Sequence, residues 1–126
     1  MKPMGPIPAW FASEEAMLLI GGCGAASLVD EAGDTPLFVY DLGIIEAQIR
    51  HLRDVMPPDL SIHYAIKANP YAPLLAHMVG LVDGFDIASG GELDMALAAG
   101  QSPDHISFAG PGKRDDELAA AIRAGV

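Results

Sequence analysis

The stretch SIHYAIKANPY, Ser61–Tyr71, places a lysine at the end of an apolar, β-rich run and follows it at once with Asn69 and Pro70. Its alternation predicts a strand over 61–67. Ile62, Tyr64 and Ile66 would share one face, and His63, Ala65 and Lys67 the other. The first set suits a surface covered by helices. The second carries Lys67 to the carboxyl end of the strand, where Asn and Pro enforce a turn. A partly desolvated amine at such a place is a usable nucleophile. The same position also suits a lysine that simply reaches solvent, and spacing alone leaves both readings open.

Strand, turn and helix recur outward from this stretch. SIHYAIK leads through ANPYA into the helix PLLAHMVG. GFDIA leads through SGG into ELDMALAAG, and HISFA leads through GPGK into RDDELAAAIRAG. The strands start about 22 residues apart, so each unit is a short βα pair. That alternation predicts an α/β fold with a parallel sheet, either open and doubly wound or closed as an eight-unit barrel. A closed barrel takes about 250 residues, so a barrel reading makes this chain three units of eight and a fragment.

Upstream, Pro3, Pro6 and Pro8 mark an irregular lead-in. AMLLIGG (Ala16–Gly22) reads as a strand, AASLVDEAG (Ala25–Gly33) as a helix closed by glycine, and TPLFVYD (Thr35–Asp41) as a second strand. Ile45, Ile49, Leu52 and Val55 recur at helical spacing, and Pro57 and Pro58 end the helix that begins at Leu42.

With 126 residues, 51% of them apolar, the chain can fill a core. The net charge of −10 argues against nucleic-acid binding, which needs clustered Lys and Arg. A single cysteine, Cys23, excludes an internal disulfide framework and fits a reducing compartment. No apolar run reaches the ~20 residues of a membrane span, and the lead-in lacks signal-peptide features. The expectation is a cytoplasmic protein with no membrane partner. The four histidines, 51, 63, 77 and 105, share no metal-ligand spacing, so no metal site is expected. His63 stands apart because strand parity turns it toward the interior, where a hydrogen-bonded core role suits it.

In the second unit, Asp86 lies on the strand, and Ser89 and Glu92 have capping-box spacing. Gly90 and Gly91 leave amides at a helix N-terminus where an anion could bind. Asp86 and Glu92 could both face the mouth that holds Lys67, two acids holding an amine charged. In the third unit, Asp115, Asp116 and Glu117 suit the helix dipole, and Lys113 suits a solvated turn better than a phosphate site. One competing pattern is Gly22-x-Gly24-x-x-Ser27 with Asp41 downstream, which mimics a dinucleotide fingerprint. Its third small residue is Ser, and the unit is shorter than the ~30 residues of a βαβ crossover.

HYAIKANP, GFDIASGGEL and ISFAGPGK, in this order and spacing, resemble the alanine-racemase-like (fold type III) pyridoxal-phosphate decarboxylases, which include the diaminopimelate, ornithine and arginine decarboxylases. The resemblance covers about Thr35–Val126, and the lead-in looks most like a subgroup associated with exosortase and exopolysaccharide loci. It implies that Lys67 forms the Schiff base with pyridoxal 5'-phosphate, that Ala65 lies against the cofactor ring, and that Asp86 sits beside ring and lysine with Glu92 as a second acid. It also implies that residues 1–41 contribute to an accessory β domain and that 42–126 form the first part of the cofactor-binding barrel. The family's ring-stacking histidine, glycine-rich phosphate loop, and glutamate at the pyridine nitrogen have no counterpart here. Nor does the segment lent by a partner subunit, for which Cys23 lies too early. The expected whole is a homodimeric enzyme decarboxylating a basic or dibasic amino acid, with a racemase or a catalytically idle binding protein as alternatives.

Overall fold

The computed structural model describes residues 10–126, in two compact units that meet in sequence between Asp54 and Val55. In the first, β1 (Ala12–Glu14), β2 (Met17–Ile20) and β3 (Cys23–Gly24) form an antiparallel sheet in that order, with Leu19 opposite both Ala12 and Gly24. Two-residue turns join them, and all four turn residues have positive φ: Glu15 at 48°, Ala16 at 64°, Gly21 at 58° and Gly22 at 78°. Tight hairpins need that conformation because its twist matches the flanking strands.

Helix α1 (Ala25–Ala32) ends on Gly33, whose left-handed φ of 81° lets its N–H reach the Val29 carbonyl at 2.9 Å. Helix α2 (Leu42–Val55) spans the interval its apolar spacing predicts. Asp41 opens it. One carboxylate oxygen accepts from the Ile44 N–H (3.1 Å), and the other accepts from the Gly21 N–H (2.7 Å), tying the helix start to the β2–β3 turn.

Two expectations change here. Thr35–Asp41 is not a strand: among the described residues the first unit's sheet contains only β1, β2 and β3, and a β-rich run becomes a strand only where a ladder partner exists. Phe38 is 82% exposed as a result. The glycine pattern at 22–24 lies in an antiparallel hairpin and Asp41 caps a helix, so this segment is no dinucleotide-binding βαβ unit.

In the second unit, β4 (His63–Ala65), β5 (Gly84–Ile87) and β6 (Ile106–Phe108) form a parallel sheet in the order β4-β5-β6. Helices α3 (Ala72–Met78), α4 (Gly90–Ala98) and α5 (Asp115–Ala124) follow the strands in turn. The βα repetition is therefore as the sequence predicts. Tyr64, Phe85 and Ile106 are in register, as are Ile87 and Phe108. Phe85 and Ile87 are fully buried with Leu75, Met78 and Leu93 of the helices. Burying each such side chain contributes on the order of 1.5–3 kcal/mol. The Tyr64 and Phe85 rings meet edge-on, with centroids 6.0 Å apart.

Candidate active site

Lys67 is delivered by a turn. Strand β4 ends at Ala65, and Ile66–Ala68 form a 3-10 turn. This corrects the expectation of a strand through 67. Asn69 closes the turn by donating its N–H to the Ile66 carbonyl (3.1 Å), and its side-chain oxygen accepts from the Tyr71 N–H (3.1 Å). Pro70 lacks an N–H, so the chain cannot rejoin the ladder after the turn. Tyr64 pins the turn by donating its hydroxyl to the Asn69 carbonyl at 3.2 Å. Ile66 is fully buried while Lys67 is exposed. A core anchor at one residue thus fixes where the next one's amine emerges.

The sheet face opposite the helix-covered one carries His63, Ala65, Gly84, Asp86 and Ser107. Ala65, Asp86 and Ser107 lie in register across the three strands. Ser107 donates its hydroxyl to Asp86 Oδ1 at 2.9 Å and lies 3.3 Å from His63 Nδ1. Ser107 had no signal in the sequence beyond strand parity, because its importance arises only from the register of β5 on β6.

Glu92 works at the start of α4. Ser89 caps that helix, accepting from the Glu92 N–H at 3.2 Å. The returning Glu92 carboxylate takes the Ala88 N–H (2.7 Å), one residue before the amide an ordinary capping box would use. The Gly90 N–H, expected to be open to an anion, is instead taken by Glu117 Oε1 at 2.8 Å. Glu117 Oε2 accepts from the Arg114 N–H at 3.0 Å and sits near its guanidinium. The Gly90 amide first, then the Arg114 amide, hold the Glu117 carboxyl below the ordinary carboxylate range. Among the described residues, no hydrogen bond or ion pair joins Lys67 to Asp86 or Glu92. Lys113 is engaged: its amine donates to the Gly110 carbonyl (2.9 Å) and lies 5.4 Å from the centre of the Phe108 ring.

Residues 42–126 match the family model described as "Pyridoxal-dependent decarboxylase, pyridoxal binding domain". The chain belongs to this pyridoxal-dependent decarboxylase family. It is similar to a Pseudomonas fluorescens diaminopimelate decarboxylase, at 42% identity over 81% of this chain and 25% of that protein. It is also similar to the Staphylococcus aureus 2-[(L-alanin-3-ylcarbamoyl)methyl]-2-hydroxybutanedioate decarboxylase, at 38% identity over 71% of this chain and 22% of that protein. The crystal structure of AQ1208 from Aquifex aeolicus superposes with a TM-score of 0.85 and 36% identity, covering 93% of this chain and 29% of that one. The chain thus spans about a quarter of the length of the curated relatives it matches. Its α/β architecture is that of part of the decarboxylase barrel, and the family's cofactor is pyridoxal phosphate.

The residues present fit that cofactor in chemistry. An exposed primary amine can bond an aldehyde, the methyl side chain of Ala65 leaves room for a flat ring, and Asp86 sets a carboxylate on the same sheet face. No helix among the described residues is long and apolar enough to cross a membrane.

Proposed function

We propose that this chain supplies the lysine-bearing part of an enzyme that decarboxylates a basic or dibasic amino acid, with Lys67 as the amine that bonds to the cofactor's aldehyde. The observation that carries this reading is Lys67 standing exposed on a core-anchored turn at the carboxyl end of β4. Barrel enzymes build their sites at that end of the sheet. When bound, pyridoxal phosphate supplies the electron-accepting ring that receives the pair left by departing carbon dioxide. Ala65 would give the ring room, and Asp86, in register with Ala65, would supply a carboxylate to the ring and the amine. Glu92 holds the adjoining turn through the Ala88 amide, and in this reading it is the second acid toward Lys67. Fixing these groups before the substrate arrives is how a protein contributes to such a step.

In the same reading, residues 1–41 belong to an accessory β domain and 42–126 to the first part of the barrel. The whole enzyme is a cytoplasmic homodimer, tied by its lead-in to exopolysaccharide metabolism. The 126 residues alone bind cofactor weakly and turn over little, since the relatives are about three times as long.

The test is product analysis on a form of the protein extended to the relatives' length, supplied with pyridoxal phosphate and, in turn, diaminopimelate, ornithine, arginine and lysine. Carbon dioxide release from one of these is expected. Loss of optical activity without carbon dioxide would make the enzyme a racemase. Neither product, with no cofactor taken up, would make it a binding protein.

A further inference from the structure

The open sheet face holds a line of three polar side chains, of which the Lys67 reading uses only Asp86: His63 on β4, Asp86 on β5 and Ser107 on β6. They meet because of a glycine. His63 is paired in register with Gly84. A Cβ built at Gly84 would lie 2.6 Å from His63 Cε1 and 2.8 Å from its Nε2, so the imidazole occupies the space a side chain would fill. Lying there, it brings Nδ1 to 3.3 Å from the Ser107 hydroxyl, which is itself 2.9 Å from Asp86 Oδ1.

The directions of these bonds follow from the donor inventory. A carboxylate only accepts, so the single hydroxyl proton of Ser107 goes to Asp86. The competing acceptor for that proton, the Phe85 carbonyl, is farther away at 3.4 Å. With its proton committed, Ser107 Oγ can only accept from the imidazole, which fixes the proton of a neutral His63 on Nδ1. Nε2 is then left bare over Gly84 as an acceptor.

We propose that His63 and Ser107 are positioning residues for Asp86, a directed relay from His63 Nδ1–H to Ser107 O–H to the carboxylate. The relay holds Asp86 in one orientation on the face that carries Ala65. It deepens the proposed function by saying what sets the carboxylate beside the cofactor, and in its significance it rests on that reading. The two contacts it rests on, Ser107 with His63 and Ser107 with Asp86, are made by this chain's own residues, so it can be tested separately.

The test uses this chain with 15N-labelled histidine, above about pH 8, where an ordinary imidazole is neutral. The ring nitrogen shifts of His63 report which nitrogen carries the proton. In the wild type the proton is expected on Nδ1. In Ser107→Ala it moves to Nε2, the site free imidazole side chains favour. In Asp86→Ala the released serine hydroxyl is left with His63 Nδ1 at 3.3 Å and the Phe85 carbonyl at 3.4 Å as acceptors, and turning to the nearer one moves the proton to Nε2 although Ser107 is intact. A serine and histidine that merely pack would not report the loss of a carboxylate on another strand. A wild-type proton on Nε2, or a tautomer unchanged in Ser107→Ala, overturns the relay. All three outcomes are independent of where the cofactor attaches, so the Lys67 reading stands or falls separately.

Discussion

Glu117 shows how much one side chain can do without touching a ligand. Its two oxygens accept backbone N–H groups from the starts of two helices, Gly90 of α4 and Arg114 at the cap of α5. The side chain is only 14% exposed. Because these bonds lower its proton affinity in the folded state, it contributes stability above the unfolded value of about 4.3, and that contribution is lost as pH falls through the folded value. Glu117→Gln is therefore expected to lower the thermal midpoint at pH 7. Its deficit against the wild type should shrink as the pH falls below the ordinary glutamate range, as melting curves at successive pH values would show. This contact joins residues 27 positions apart, so no local pattern announced it. The sequence showed a glutamate suited to a helix dipole, and the structure adds the second helix it serves.

The same limit applies at the scale of elements. The spacing of Ile45, Ile49, Leu52 and Val55 predicts α2, and the helix runs over Leu42–Val55. The three βα units were legible because period-two runs alternate with helical spacing and turn residues mark their ends. Pairing was not legible. Thr35–Asp41 has strand composition but no ladder partner among the described residues, and β4 stops two residues before Lys67 because a buried Ile66 and the Asn69–Ile66 bond draw the chain into a 3-10 turn. Parity along the strand correctly grouped His63 with Ala65, but bringing them beside Ser107 required the register of β4 on β5 on β6. That register depends on Gly84. A methyl there meets the His105 carbonyl as well as the His63 ring. Gly84→Ala should cost about 1–3 kcal/mol, as overpacking does, read as a lower midpoint in urea denaturation. A neutral substitution would show that the sheet is looser than these contacts require.

For the molecule as a whole, the family is carried by residues 42–126 and the proposed chemistry by a few positions within them. The candidate residues Lys67, Ala65, Asp86 and Glu92 were readable from HYAIKANP and GFDIASGGEL, whose order and separation resemble the family. Substrate choice was not readable, and similarity does not supply it: one relative is a diaminopimelate decarboxylase and another acts on a carbamoylmethyl-hydroxybutanedioate compound. The most direct measurement concerns the amine. The lysines of the chain are Lys2, Lys67 and Lys113, and Lys113 is already engaged with the Gly110 carbonyl and the Phe108 ring. Pyridoxal phosphate added to the chain, or to a longer form of it, followed by borohydride reduction and peptide mapping, should place the label on Lys67. Lys67→Met should abolish that label and, in the longer form, reduce turnover on the order of a thousandfold or more. Label on Lys2 or Lys113 in preference to Lys67, or full turnover with methionine at 67, would contradict the account.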